Sequence, residues 1–253
     1  MMAIPALLIK VSLIFVVVLG GVIAVMSFLS GNWVGGIIGI IFFAIGICYA
    51  MAVWSRIPFA TANLVTATTA IKGNCGVTII AYIFVALAFG WSLMWTVAFA
   101  GVWNLTYECT TTGGVTECSN PSYGLLFVLF VSYFFTHQVL QNTVHVVVAG
   151  TVGTWWFAPE EAGCCSSAII GSFIRATTTS FGSICFGSLI VAIIQALRQL
   201  ANQARAEGDA GILACIAECI LACIQGIVEY FNKWAYVYVG LYGYSYIEAG
   251  KNV

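Results

Sequence analysis

The chain has 253 residues, of which 62% are hydrophobic and 7% charged, with a formal net charge of −1; its mean hydropathy is +1.04. A soluble domain carries about a quarter charged residues, so a water-facing globule is excluded. The near-neutral balance also removes the basic footprint of a nucleic-acid binder. What remains is an all-α, polytopic helical membrane protein, because a helix satisfies its own backbone in lipid.

The N-terminus has no basic region followed by a small-residue cleavage site, so the first helix is not read as a removable signal. Apolar stretches run over Leu7 to Leu29, Val34 to Trp54, Val77 to Trp103, Tyr123 to Phe157 and Thr177 to Leu197. Each is about 20 residues or longer, enough for the roughly 30 Å hydrocarbon core. A sixth, Trp234 to Ile247, is shorter and aromatic-rich, giving about six membrane segments in one transporter domain over 1–253. The sequence breaks off at AGKNV in a helical pattern, and the expectation is a fragment of a longer protein. The fourth stretch would measure about 50 Å as a straight helix, so it tilts, projects into water or breaks near Gly150 and Gly153.

Residues 56–72 follow Arg56-Ile57-Pro58-Phe59 with a helical repeat that places Ile57, Ala60, Leu64, Ala67 and Ile71 on one face. This reads as an inner-face amphipathic connector. Residues 104–122 form a loop with no Lys or Arg, with an acceptor for glycosylation at Asn104 and with Cys109 and Cys118 spaced for a short disulfide. That loop is expected outside, and the loops holding Arg56, Lys72 and Arg175 inside. Residues 198–233 are harder. Arg198, Arg205 and Lys233 argue for the cytosol where alternation argues for the outside, and Ile212 to Phe231, with Cys215, Cys219 and Cys223 on one face, reads as an amphipathic surface helix after a charged loop. Cys164 and Cys165 are either acylation sites or plain surface thiols.

Gly31, Gly35 and Gly39 recur every four residues, the pattern of close helix approach. Trp33, Trp54, Trp103, Trp155 and Trp156 fall at span ends, as interfacial anchors do. Trp91 and Trp95 lie mid-span at i and i+4. Their shared aromatic face either suits an organic cation or packs between helices.

The most informative stretch is Phe127 to Phe157. Gln138, Gln141, Asn142 and His145 fall within roughly a 100° arc of one helical face, with Phe134 beside them. Lipid cannot satisfy amides or an imidazole, so this face meets other helices or lines a watered pathway. No phosphate loop, zinc-protease motif or nucleophile elbow is present. No cofactor or metal is expected, His137 and His145 being a weak pair for one.

Several ordered blocks carry a resemblance. Ser132-Tyr133-Phe134-Phe135-Thr136-His137-Gln138-Val139, Gly153-Thr154-Trp155-Trp156-Phe157, Phe186 to Gln195, and Phe231-Asn232-Lys233-Trp234-Ala235-Tyr236 resemble the choline transporter-like family, solute carrier family 44. The Arg56 to Phe59 segment resembles its fungal and protist branch, named for sensitivity to high pH. The resemblance implies a ten-span transporter of choline at the plasma membrane or an organelle membrane, lacking here its first and last spans. The expected function is transport of choline or a related organic cation. In that reading Trp91, Trp95 and Phe134 supply aromatic surface while Gln138, Asn142 and His145 line the path. The alternative is a non-transporting membrane scaffold.

Overall fold

The computed structural model describes the backbone of residues 5–106, 109–112, 115–118, 123–206 and 211–253, and the side chains of 5–106, 124–203 and 215–253. Among the described residues, six helices are long and apolar enough to cross a membrane. The chain separates into two compact units, Met1–Lys72 and Gly73–Val253.

In the first unit, α1 (Pro5–Leu29) and α2 (Trp33–Trp54) form an antiparallel pair. Gly31 turns the chain at φ 78°, a conformation that costs glycine little. Asn32 then caps α2, its Oδ1 accepting from the Gly35 amide at 2.9 Å. The small-residue stripe works as expected at one place: a Cβ on Gly39 would sit 2.8 Å from that of Ala24, so the two backbones approach at a distance only glycine permits. At the other end of the pair the Lys10 Nζ lies 5.7 Å from the Trp54 ring. A third helix, α3 (Ile57–Gly73), occupies the expected connector. Ile57 is buried and Leu64 half-buried, but Ala60, Ala67 and Ile71 are exposed.

The second unit begins with α4 (Cys75–Thr106), followed by a two-stranded hairpin, β1 (Cys109–Thr112) and β2 (Val115–Cys118). Cys109 and Cys118 stand opposite one another in its register; their side chains, and so the expected disulfide, lie outside the described residues. Then come α5 (Tyr123–Phe157), α6 (Ser167–Thr177), α7 (Phe181–Ala206), α8 (Gly211–Tyr242) and α9 (Tyr246–Asn252). The α5 helix is the hub, packing on α4, α6, α7 and α8. It runs unbroken past Gly150 and Gly153 for 35 residues. Those glycines serve packing instead. A Cβ on Gly150 would lie 3.0 Å from the Gly240 carbonyl of α8, and one on Gly240 2.7 Å from the Val146 carbonyl of α5.

Three expectations change. The fifth span starts at Phe181 rather than Thr177 and extends through Arg198 to Ala206. The supposed surface helix and the sixth span are one 32-residue helix, α8, whose stretch Cys215–Tyr242 is itself long and apolar enough to cross a membrane; Cys215, Cys219 and Cys223 are all exposed on it. Its charges are spread thinly enough that the apolar run tolerates them. After Tyr242, Gly243 (φ 71°) reverses the chain and α9 folds back along α8. Finally, Cys164 is paired in a disulfide with Cys75, 89 residues earlier, which joins the start of α4 to the segment after α5. Cys165 is a free, exposed thiol.

The direction of α7 bears on residues 198–233. Asn104 near the end of α4 and Gln199, Asn202 and Gln203 near the end of α7 line one cavity of about 640 Å³. The C-terminal end of α7 therefore lies at the same end of this unit as the C-terminal end of α4, and the Cys75–Cys164 bridge lies at the opposite end.

Candidate functional site

Three helices bring polar side chains together beside an apolar core of Val139, Val146, Ile184, Tyr236 and Val239. From α5 come Gln138, Gln141, Asn142 and His145, from α7 Val191 and Gln195, and from α8 Glu229, Asn232 and Lys233. Together they line a cleft of about 460 Å³. The α5 stripe therefore faces protein and a cavity, as an amide face in a membrane helix must.

At the buried end of the cleft Asn142 donates to Ser188 Oγ at 3.0 Å, and its Nδ2 also lies 3.4 Å from Tyr236 Oη. Tyr236, fully buried, donates to the Ile184 carbonyl at 3.2 Å. Asn232 is held from both sides. Its Nδ2 donates to the Gly187 carbonyl at 3.3 Å, and its Oδ1 accepts from the Tyr246 hydroxyl.

From Asn142 the hydrogen bonds run in one direction. Asn142 donates to Gln138 Oε1, Gln138 to Gln195 Oε1 and Gln195 to Glu229 Oε1, each at 3.4 Å. From the other side Arg198 donates to Gln225 at 2.5 Å, and Gln225 to the same Glu229 oxygen at 2.6 Å. Every amide dipole in this hydrogen-bonded series thus points its positive end toward one carboxylate, and each bond polarises the next. Both donors land on Oε1, so Oε2 has no hydrogen-bond partner among the described residues. Gln141 and Lys233 also make no hydrogen bond there. His145 meets Tyr236 edge-on, with ring centroids 6.2 Å apart.

The aromatic candidates occupy a different face. Trp95 donates to the Leu129 carbonyl at 2.9 Å, and its ring packs on Phe99, Phe130 and Tyr133 at centroid distances of 5.1, 5.8 and 4.7 Å. Phe134 joins the same ladder through Phe130 and Tyr133. His137 turns to α4 as well, bonding Ser92 at 2.9 Å, which separates it from His145. The Trp91 indole nitrogen is buried without a hydrogen-bond partner among the described residues. The structure therefore unites Gln138, Asn142 and His145 but does not bring Trp91, Trp95 or Phe134 into their cleft.

Residues 37–253 match the family described as plasma-membrane choline transporter. The chain belongs to the choline transporter-like family. A CTL-like protein of Dictyostelium discoideum is 35% identical over 87% of this chain and 39% of its own length. Protein PNS1 of Yarrowia lipolytica is 36% identical over 90% and 42%, and Protein PNS1 of Cryptococcus neoformans 34% over 99% and 47%. The chain thus spans less than half the length of these curated relatives. Family membership and the six long apolar helices among the described residues make this an integral membrane protein.

Sequence reasoning missed Ser188, Gln195, Glu229 and Lys233 as members of this site. The signal was present in α8. Opposite charges such as Glu229 and Lys233 in a helix of membrane-spanning length mark a functional position by default, but a surface helix ending at Phe231 leaves both outside any span.

Proposed function

We propose that the second unit contributes part of a pathway for choline or a related organic cation, in a plasma-membrane protein whose hairpin loop faces outward. The observation that carries this reading is the convergence of amides from three helices on Glu229, in a cleft with room for a small organic molecule. A quaternary ammonium has no N–H to donate, so it is attracted by a carboxylate and by amide oxygens without competing for their donors. Gln138, Gln141 and Asn142 then provide hydrogen-bonding capacity for a substrate hydroxyl, and His145 closes the wall. Trp91, Trp95 and Phe134 then form a separate aromatic packing surface on the α4 side of α5, outside this cleft.

Radiolabelled choline uptake into proteoliposomes containing the chain tests this reading. Accumulation above protein-free liposomes is expected, with loss in Glu229→Gln. The competing reading, a non-transporting scaffold, draws on the tight contact at Gly150 and Gly240 and the buried Asn142–Ser188 bond. It requires that the protein bind no substrate and that cleft substitutions change only stability.

A further inference from the structure

Glu229 and Lys233 stand four residues apart on α8, the spacing at which opposite charges on a helix ordinarily meet. Here they do not pair. Glu229 is engaged by Gln195 and Gln225, while Lys233, exposed on the wall of the same cleft, makes no hydrogen bond or ion pair among the described residues. An isolated ammonium beside a membrane-depth cleft is costly to keep if only cations are to enter, because it repels them through a medium of low dielectric. A cleft that offers one carboxylate oxygen and one ammonium, separated by one helical turn in a wall that also carries carboxamides, is complementary to a molecule carrying both charges.

We infer that the substrate class of this cleft is a small zwitterion. A quaternary ammonium lies against Glu229 Oε2, and an acidic group on the same molecule lies against Lys233, with Gln141 and His145 free to donate to that group's oxygens. The inference rests on the transport reading above, since it assigns the ligand of the same cleft. It differs in predicting that a cation alone satisfies only half of the site.

The test is titration of the purified chain in lipid nanodiscs with choline, with phosphocholine and with 3,3-dimethylbutanol, an uncharged isostere of choline. Phosphocholine is expected to bind roughly tenfold more tightly than choline, the increment of one added charge-assisted contact, and dimethylbutanol most weakly. Lys233→Met should erase the advantage of phosphocholine over choline, and Lys233→Arg should retain it. Glu229→Gln should erase the advantage of choline over dimethylbutanol. Because each readout is a ratio of ligands on one protein sample, a partly unfolded variant does not imitate the effect. Choline binding as well as or better than phosphocholine, or an advantage that survives Lys233→Met, overturns the inference while leaving the choline reading standing. Binding of none of the three ligands by the unaltered chain overturns both.

Discussion

Gln195 of α7 places its amide nitrogen 3.4 Å from the Glu229 carboxylate of α8, and through it the α5 stripe is connected to a charge on a helix about 90 residues away in sequence. The bond makes Glu229 the terminus of a directed chain rather than a solitary acid. Glu229→Gln keeps the side chain's shape and an acceptor oxygen while removing the charge. Choline uptake should fall about tenfold or more, with the thermal midpoint in detergent little changed. A fall in midpoint that matches the loss of uptake would assign Glu229 to structure alone.

Asn142 and Gln141 offer a contrast on neighbouring positions of one helix. Asn142 is buried and bonded to Ser188, so Asn142→Leu should cost about 1–3 kcal/mol by stranding polar partners. Gln141 is exposed on the cleft, and Gln141→Leu should change stability by less than about 0.5 kcal/mol while reducing uptake. Thermal unfolding followed by tryptophan fluorescence, beside uptake at matched protein content, separates the two. Normal uptake in Gln141→Leu would remove Gln141 from the substrate path.

Trp95 is surrounded by aromatic rings and bonded through its indole nitrogen to Leu129. Trp95→Ala should therefore cost about 3 kcal/mol as a packing defect, with choline affinity in the folded fraction changed by less than about twofold. A tenfold loss of affinity with unchanged stability would return Trp95 to the substrate path.

The Cys75–Cys164 bridge and Asn104 lie at opposite ends of α4, a helix long enough to span the membrane. Glycan transfer needs a lumenal loop, and a stable disulfide needs an oxidising compartment. In cells with a reducing cytosol the two modifications should exclude one another. Endoglycosidase shifts and maleimide–polyethylene glycol labelling of the same expressed sample would score both, and their presence on one molecule would mean that α4 does not cross the bilayer. Where the bridge does form, Cys75→Ser should cost about 2–4 kcal/mol, since it closes a long loop.

The sequence by itself determined the membrane class, the number of long apolar segments and the polar face of α5, because hydropathy and the 3.6-residue period are local properties that survive without a partner helix. It also identified Gln138, Asn142 and His145 as a set, since they lie on one turn-by-turn stripe. Only the tertiary structure decided which helices that stripe faces. The amide of Gln195 and the charge of Glu229 lie on other elements, and nothing within α5 encodes their distance from it. The same limit explains α8: its charges read locally as a surface, and only the packing of Asn232, Tyr236 and Gly240 against α5, α7 and α9 shows the helix to be continuous. The disulfide partner of Cys75 was likewise invisible, because pairing over 89 residues depends on where α4 and α5 place their ends. The separation of Trp95 from the cleft has the same origin. Helical spacing placed Trp91 and Trp95 on one face of α4, and the antiparallel docking of α4 on α5 turned that face toward Tyr133 and Phe130 rather than toward Asn142.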